Sequence, residues 1–378
     1  MTTAGETPIR DPEPLEARVS AWPADSAIAL DTEFVRERTY YPKLCLIQVA
    51  AAGDVALIDA LAIADGGALV APLVDPRRLK LLHAARQDIE ALLPLTGAPL
   101  APVFDTQQAA ALLGFPAQIG YADLVRQLLG VELAKGHART DWTRRPLSPD
   151  QLAYAADDVR YLPALAQALE QRLDAAGRRA WLDEESAMLR DLSLYRVEPA
   201  EAWRRLKGLE RLDAAGFAVA RALADWRERR AMDRDLPRGW VLPDVAIYEL
   251  AETRPQNRDE LSRLAAVPRG TAQHAADAIL AAIADARGED GVHDAGEGGR
   301  PGPEQLRRQK LLQKQLTALA SELGIQPEVL ATRRELAALA RGSRESILLT
   351  GWRRTVVGEP LLAALQEGTV PFKGDVHL

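Results

Sequence analysis

Every stretch of this chain that reads as a β-strand lies before about residue 106, and none follows. Residues 26–60 hold three such runs, SAIALDTEF, KLCLIQVAA and DVALIDAL. LKLLHAA (79–85) is a fourth, and one more strand is expected near Val103. Each is short, apolar and bounded by polar or turn residues. Helical spacing takes over in RQDIEALLPL, TQQAAALLG, YADLVRQLLG and QLAYAADDVRYLPALAQALEQRLDAAG. Strands followed by covering helices predict one α/β domain with a mixed sheet, closing near residue 195.

The remainder is expected to be helical. Residues 210–285 are Ala/Leu-rich and broken by DLPRGWVLPD and VPRG. ARGEDGVHDAGEGGRPGP (286–303) has 6 glycines in 18 residues and almost no large apolar side chain, which is linker composition. Residues 304–370 return to helical patterns. The expected layout is an α/β domain over 1–195, a helical domain over 205–285, a linker over 286–303 and a second helical domain over 304–378. A length of 378 residues suits two or three domains at roughly 150 residues each.

Composition excludes several classes. The single cysteine, Cys45, leaves no disulfide framework and no cysteine-rich zinc site, and is read as a small core residue. No uncharged apolar run reaches about 18 residues, and the N-terminus lacks a basic stretch followed by an apolar one, so a cytoplasmic protein without membrane attachment is expected. No GxxxxGK[ST], GxGxxG, GxSxG or paired-histidine zinc pattern is present. The net charge of −7 is uneven. Residues 1–200 carry 20 basic and 28 acidic side chains, and residues 201–378 carry 27 and 26. An acidic first half does not coat nucleic acid, but it can build a carboxylate metal site.

Three places carry candidate chemistry. Asp31 and Glu33 are i and i+2 at the end of the run AIAL, so a strand presents both carboxylates on one face. Hard oxygen ligands at that spacing suit Mg²⁺ or Mn²⁺, although the pair alone also fits a strand end with two solvated acids. Asp88 falls in the first turn of the helix after LKLLHAA, where the helix dipole alone would favour an acid. Tyr154 and Asp158 are i and i+4 on a helix and share a face. Taken singly, this pair fits a surface hydrogen bond equally well. Four acids from three elements plus a phenol suit a pair of divalent ions about 3.5–4 Å apart, as used in phosphodiester cleavage.

DTEF, HAARQD and YAADD resemble the three motifs of the DEDD 3′→5′ exonucleases, in the subclass with Tyr-x-x-x-Asp. LDTEFVRERTYYPKLCLIQVA, VFDTQQAAALLGF and ARTDWTRRPLSPDQLAYAADDVRYL resemble the ribonuclease D family more closely. ADWRERRAMDRDLPRGWVLPDVAI resembles the HRDC domain that follows the nuclease in that family. The resemblance spans nearly the whole chain. It implies an RNase H-like α/β nuclease domain with a mixed central sheet, followed by two small all-α HRDC-like domains. It also implies a two-metal exoribonuclease that releases 5′-mononucleotides from RNA, especially tRNA precursors with single-stranded 3′ ends. Asp31, Glu33, Asp88 and Asp158 fall on the metal-binding acids, and Tyr154 on the water-orienting tyrosine. In relatives that act on DNA, Asn and an aromatic residue precede the second acid; here Ala84 and Gln87 stand there.

Further substrate contacts are expected from Thr32, between two ligands, from His83, and from Lys135, Arg139 and Trp142 in the basic loop KGHARTDWTRR. Gln48 is read as a strand residue. A monomer is expected. A DNA exonuclease and a non-catalytic RNA-binding scaffold are the rival readings. Deleting 201–378 is expected to spare cleavage of short single strands and to weaken binding of tRNA-sized RNA.

Overall fold

The computed structural model describes residues 7–134, 136, 140–286 and 302–367. The expected linker 286–303, apart from residues 286, 302 and 303, and the expected contacts Lys135 and Arg139 lie outside them.

The strands form one five-stranded sheet: β1 (Ile28–Val35), β2 (Lys43–Ala51), β3 (Asp54–Asp59), β4 (Lys80–Leu82) and β5 (Val103–Asp105). Their order is β3-β2-β1-β4-β5. β2 and β3 pair antiparallel, whereas β1/β4 and β4/β5 pair parallel, so the sheet is mixed as expected. β2 is buried continuously from Cys45 to Ala51, the mark of a strand covered on both faces. Ile28, Leu30, Leu46, Ile47 and Ile58 are fully buried around it. Cys45 is a core residue.

The long helical run after residue 150 is two helices, Pro149–Arg160 and Leu162–Ala175. Pro163 divides them, because it has no N–H to continue the first helix and is tolerated in the first turn of the second. Ser148 starts the first helix with a capping box: its hydroxyl accepts from Gln151 N, and the Gln151 amide oxygen accepts from Ser148 N.

The chain forms two compact units. The first comprises Met1–Phe34, Leu44–Asp191 and Pro301–Leu378; the second comprises Val35–Lys43 and Leu192–Arg300. This corrects the expectation that 304–378 stands apart. Trp352 stacks on Trp181 at 4.4 Å and 8°, and its indole N–H donates to Glu185 at 2.8 Å. Arg178 donates to the carbonyls of Leu112 (2.7 Å) and Leu323 (2.6 Å). The C-terminal helices thus complete the core of the unit that holds the sheet.

The second unit is helical. Helix Ala214–Arg234 packs against Asp244–Thr253, Ala276–Ala286 and the turn Pro199–Arg205 around Val219, Leu223, Ile247, Leu250 and Ile279. Within it, Asp235 ends the long helix with φ +49 and accepts from Tyr40 N and Tyr41 N at 2.9 Å each. The Tyr40 hydroxyl donates to the fully buried Glu228, which also pairs with Arg238. No helix among the described residues is long and apolar enough to cross a membrane.

Candidate active site

The expected ligands Asp31, Glu33 and Asp158 converge. One oxygen of each lies within 4.8 Å of the others. β1 supplies the first two where its buried stretch Ile28–Leu30 gives way to half-buried residues. Helix Pro149–Arg160 supplies Asp158. Tyr154, one turn earlier, hydrogen-bonds the Asp158 carboxylate through its hydroxyl, so the i, i+4 reading holds. The Tyr121 hydroxyl donates to Asp157 O at 3.0 Å and accepts from Tyr161 N at 3.3 Å, which fixes the end of the helix beside Asp158.

Asp88 arrives from a third element. β4 pairs Lys80 with Ile28 and Leu81 with Ala29 and then stops, leaving β1 without that ladder beyond the pair. Helix Arg86–Thr96 begins there, and Asp88 in its first turn accepts from Thr32 N (3.1 Å) and Thr32 Oγ1 (2.6 Å) on one oxygen, Oδ1. The turn into this helix is held by Asp105, the N-cap of helix Thr106–Leu112. Its carboxylate accepts from Ala84 N (3.0 Å), Ala85 N (2.9 Å) and Gln107 N (2.9 Å), and Ala84 adopts φ +59. Sequence reading did not single out Asp105 or Tyr121. The signal for Asp105 was present: an acid before Thr-Gln-Gln at a helix start is an N-cap pattern.

Burial, then mutual repulsion, sets the electrostatics. The Asp31 carboxyl is raised well above its ordinary range by burial and by Asp158. Glu33 is raised to about 9 by burial and then by Asp31, Asp158 and Asp88. Asp158 reaches about 7, mainly through burial. Asp88 is raised by burial and Asp31, against the two bonds from Thr32. Burial and then Asp158 hold the Tyr154 phenol well above its ordinary value. Carboxylates crowded together in this way, three half-buried and Asp88 buried, are a set of hard oxygen donors, which fits a divalent ion.

The other expected contacts fare differently. Thr32 spends its N–H and hydroxyl on Asp88. His83 bridges Thr106 Oγ1 and Ile119 O, both at 2.9 Å, so its ring ties the start of helix Thr106–Leu112 to the segment at Ile119 and engages both nitrogens. Trp142 is 2 % exposed, and its ring centroid lies 6.3 Å from that of Tyr154. In the same loop Arg145 is committed to Asp59, at 2.7 and 2.8 Å. Gln48 is the strand residue expected, fully buried, and its Nε2 lies 3.5 Å from Asp31 Oδ2.

The family model for 3′-5′ exonucleases matches residues 7–174, and that for the HRDC domain matches residues 216–283. Fold and site together therefore define a DEDD-type 3′→5′ exonuclease with an HRDC domain behind it. The ribonuclease D of Granulibacter bethesdensis is 38 % identical over 379 residues, 96 % of this chain and 93 % of that one. The ribonuclease D of Gluconacetobacter diazotrophicus is 40 % identical over 352 residues, covering 90 % and 88 %. The crystal structure of Escherichia coli RNase D, described as an exoribonuclease involved in structured RNA processing, superposes with a TM-score of 0.83 at 33 % identity, covering 97 % of this chain and 99 % of that one. The chain belongs to the ribonuclease D family and is a 3′→5′ exoribonuclease.

Proposed function

We propose that this enzyme trims the 3′ ends of structured RNA, tRNA precursors with single-stranded 3′ ends above all, releasing 5′-mononucleotides by hydrolysis with two divalent ions, Mg²⁺ or Mn²⁺. Asp31, Glu33, Asp88 and Asp158 would hold them. When bound, such ions supply the charge that makes water nucleophilic and stabilises the leaving 3′ oxygen. The observation that carries the reading is the Asp31–Glu33–Asp158 cluster with the Tyr154 hydroxyl already on Asp158. Tyr154 is placed to orient the attacking water, and its raised pKa keeps it a neutral donor at working pH. Tyr121 and the capping box hold the helix that carries both groups. We further read the protein as a cytoplasmic monomer; its single, buried cysteine suits a reducing compartment.

The test is cleavage of 3′-labelled precursor tRNA, short RNA and DNA with Mg²⁺, with Mn²⁺ and in EDTA. Activity on RNA with either metal, none in EDTA and 5′-mononucleotide products are expected. Tyr154→Phe is expected to lower kcat by about 10²–10⁴-fold with little change in RNA affinity. Full activity in EDTA, or wild-type kcat in Tyr154→Phe, overturns the reading.

A further inference from the structure

Three of the four acids converge directly; Asp88 is set apart by the way it is held. Its Oδ1 takes two donors from one residue, the Thr32 amide at 3.1 Å and the Thr32 hydroxyl at 2.6 Å. Both residues are only 6 % exposed, so water does not compete for these bonds. A carboxylate oxygen has two lone pairs, and here both are engaged. Oδ2 is left as the oxygen able to hold a cation. The amide bond follows from the fold, because β4 ends and leaves the β1 edge open at Thr32. The hydroxyl bond follows from the side chain, and an apolar residue at 32 would preserve the strand without it.

We propose that Thr32 is a positioning residue for Asp88: by saturating Oδ1 it fixes the carboxylate plane and presents Oδ2 to one of the two ions. This rests on the two-ion reading above. It replaces the expectation that Thr32 meets the terminal nucleotide. Side chains that orient a ligand in this way typically change metal affinity by 10–100-fold.

The experiment is calorimetric titration of the full-length, RNA-free protein with Mn²⁺, alongside thermal melting in EDTA. The native protein is expected to bind two ions. Thr32→Val, which keeps the amide and the volume but loses the hydroxyl, is expected to weaken one of them by 10–100-fold. Its melting temperature in EDTA should fall, since one buried hydrogen bond is lost, and the Asp88→Ala background separates that loss from the effect on the ion. Thr32→Ala should weaken the same ion, and Thr32→Ser should restore native affinity. In an Asp88→Ala background, Thr32→Val should leave the remaining ion's affinity unchanged. Native binding in both Thr32→Val and Thr32→Ala overturns the proposal, as does further weakening in the Asp88→Ala background. A native protein that binds no Mn²⁺ overturns the metal reading itself, and the Thr32 proposal with it.

Discussion

Glu33 sits where burial and three neighbouring carboxylates act together, and its carboxyl rises to about 9. Asp158 rises to about 7, from an ordinary value of 3.8. A folded-state pKa above the unfolded one means that the folded protein binds more protons between the two values, so stability falls as pH rises through that window. In EDTA the melting temperature is therefore expected to be highest below about pH 4 as far as these groups are concerned. It should decline from there up to about 7, where both groups contribute, and more gently from about 7 to about 9. Mn²⁺ binds the ionised form and should reverse the decline, most strongly at the alkaline end. Melting curves from pH 5 to 9 with and without metal check this, and a metal-free melting temperature that climbs over that range would contradict it. The placement of these side chains was readable from sequence because strand and helix periodicities set Asp31 beside Glu33 and Tyr154 over Asp158; their expected role as ligands came from the family resemblance. The internal partners of Thr32, His83 and Trp142 were not readable, since periodicity reports a face and not the partner that a side chain meets there.

At the level of elements, the turn from β4 into helix Arg86–Thr96 governs where Asp88 stands. Asp105 holds that turn through two backbone amides and caps its own helix with a third, at 2 % exposure. Asp105→Ala removes a cap and strands two buried donors, which costs about 2–4 kcal/mol. Urea unfolding should show that loss, and Asp105→Asn, which keeps one acceptor oxygen, should recover part of it. The strands and their order of appearance were legible, because short apolar runs bounded by turn residues are local signals. The break at Tyr161 needed Pro163 to be weighed above a continuous apolar stripe. Lys80 was not legible: a lysine at the start of β4 is fully buried with its ammonium donating to the carbonyls of Asp75, Arg78 and Ala101, at 2.6–2.9 Å. Nothing in the local sequence announces three carbonyls brought together from two loops.

For the whole molecule, contiguity in sequence and compactness in space part company. A glycine-rich stretch reads as a boundary, yet residues on its far side complete the unit that holds the sheet. Trp352 is 5 % exposed, stacked on Trp181 and bonded to Glu185. Trp352→Ala is expected to cost about 3–5 kcal/mol. Differential scanning calorimetry should show the loss in the transition that Mn²⁺ raises; an unmoved metal-responsive transition would mean that 302–367 folds by itself. By the same reasoning, deleting 201–378 removes part of the nuclease unit along with the HRDC domain. It also leaves Tyr40 without Glu228 and Asp235. Such a truncated chain should lose stability and activity on short and long RNA alike.

The interleaved make-up of the two units also bears on the enzyme's birth at the ribosome. Domains that fold as they emerge do so from the N-terminus, at about 5–20 residues per second. All four acids and Tyr154 have been synthesised by residue 158, but the first unit gains its last described helices only after residue 302. The interval is on the order of 10–30 s. During it the apolar face that Trp352 later covers is open, so a nascent chain should be a client for chaperones. A nuclease assembled in this order reaches its full stability only after residues 302–367 have emerged.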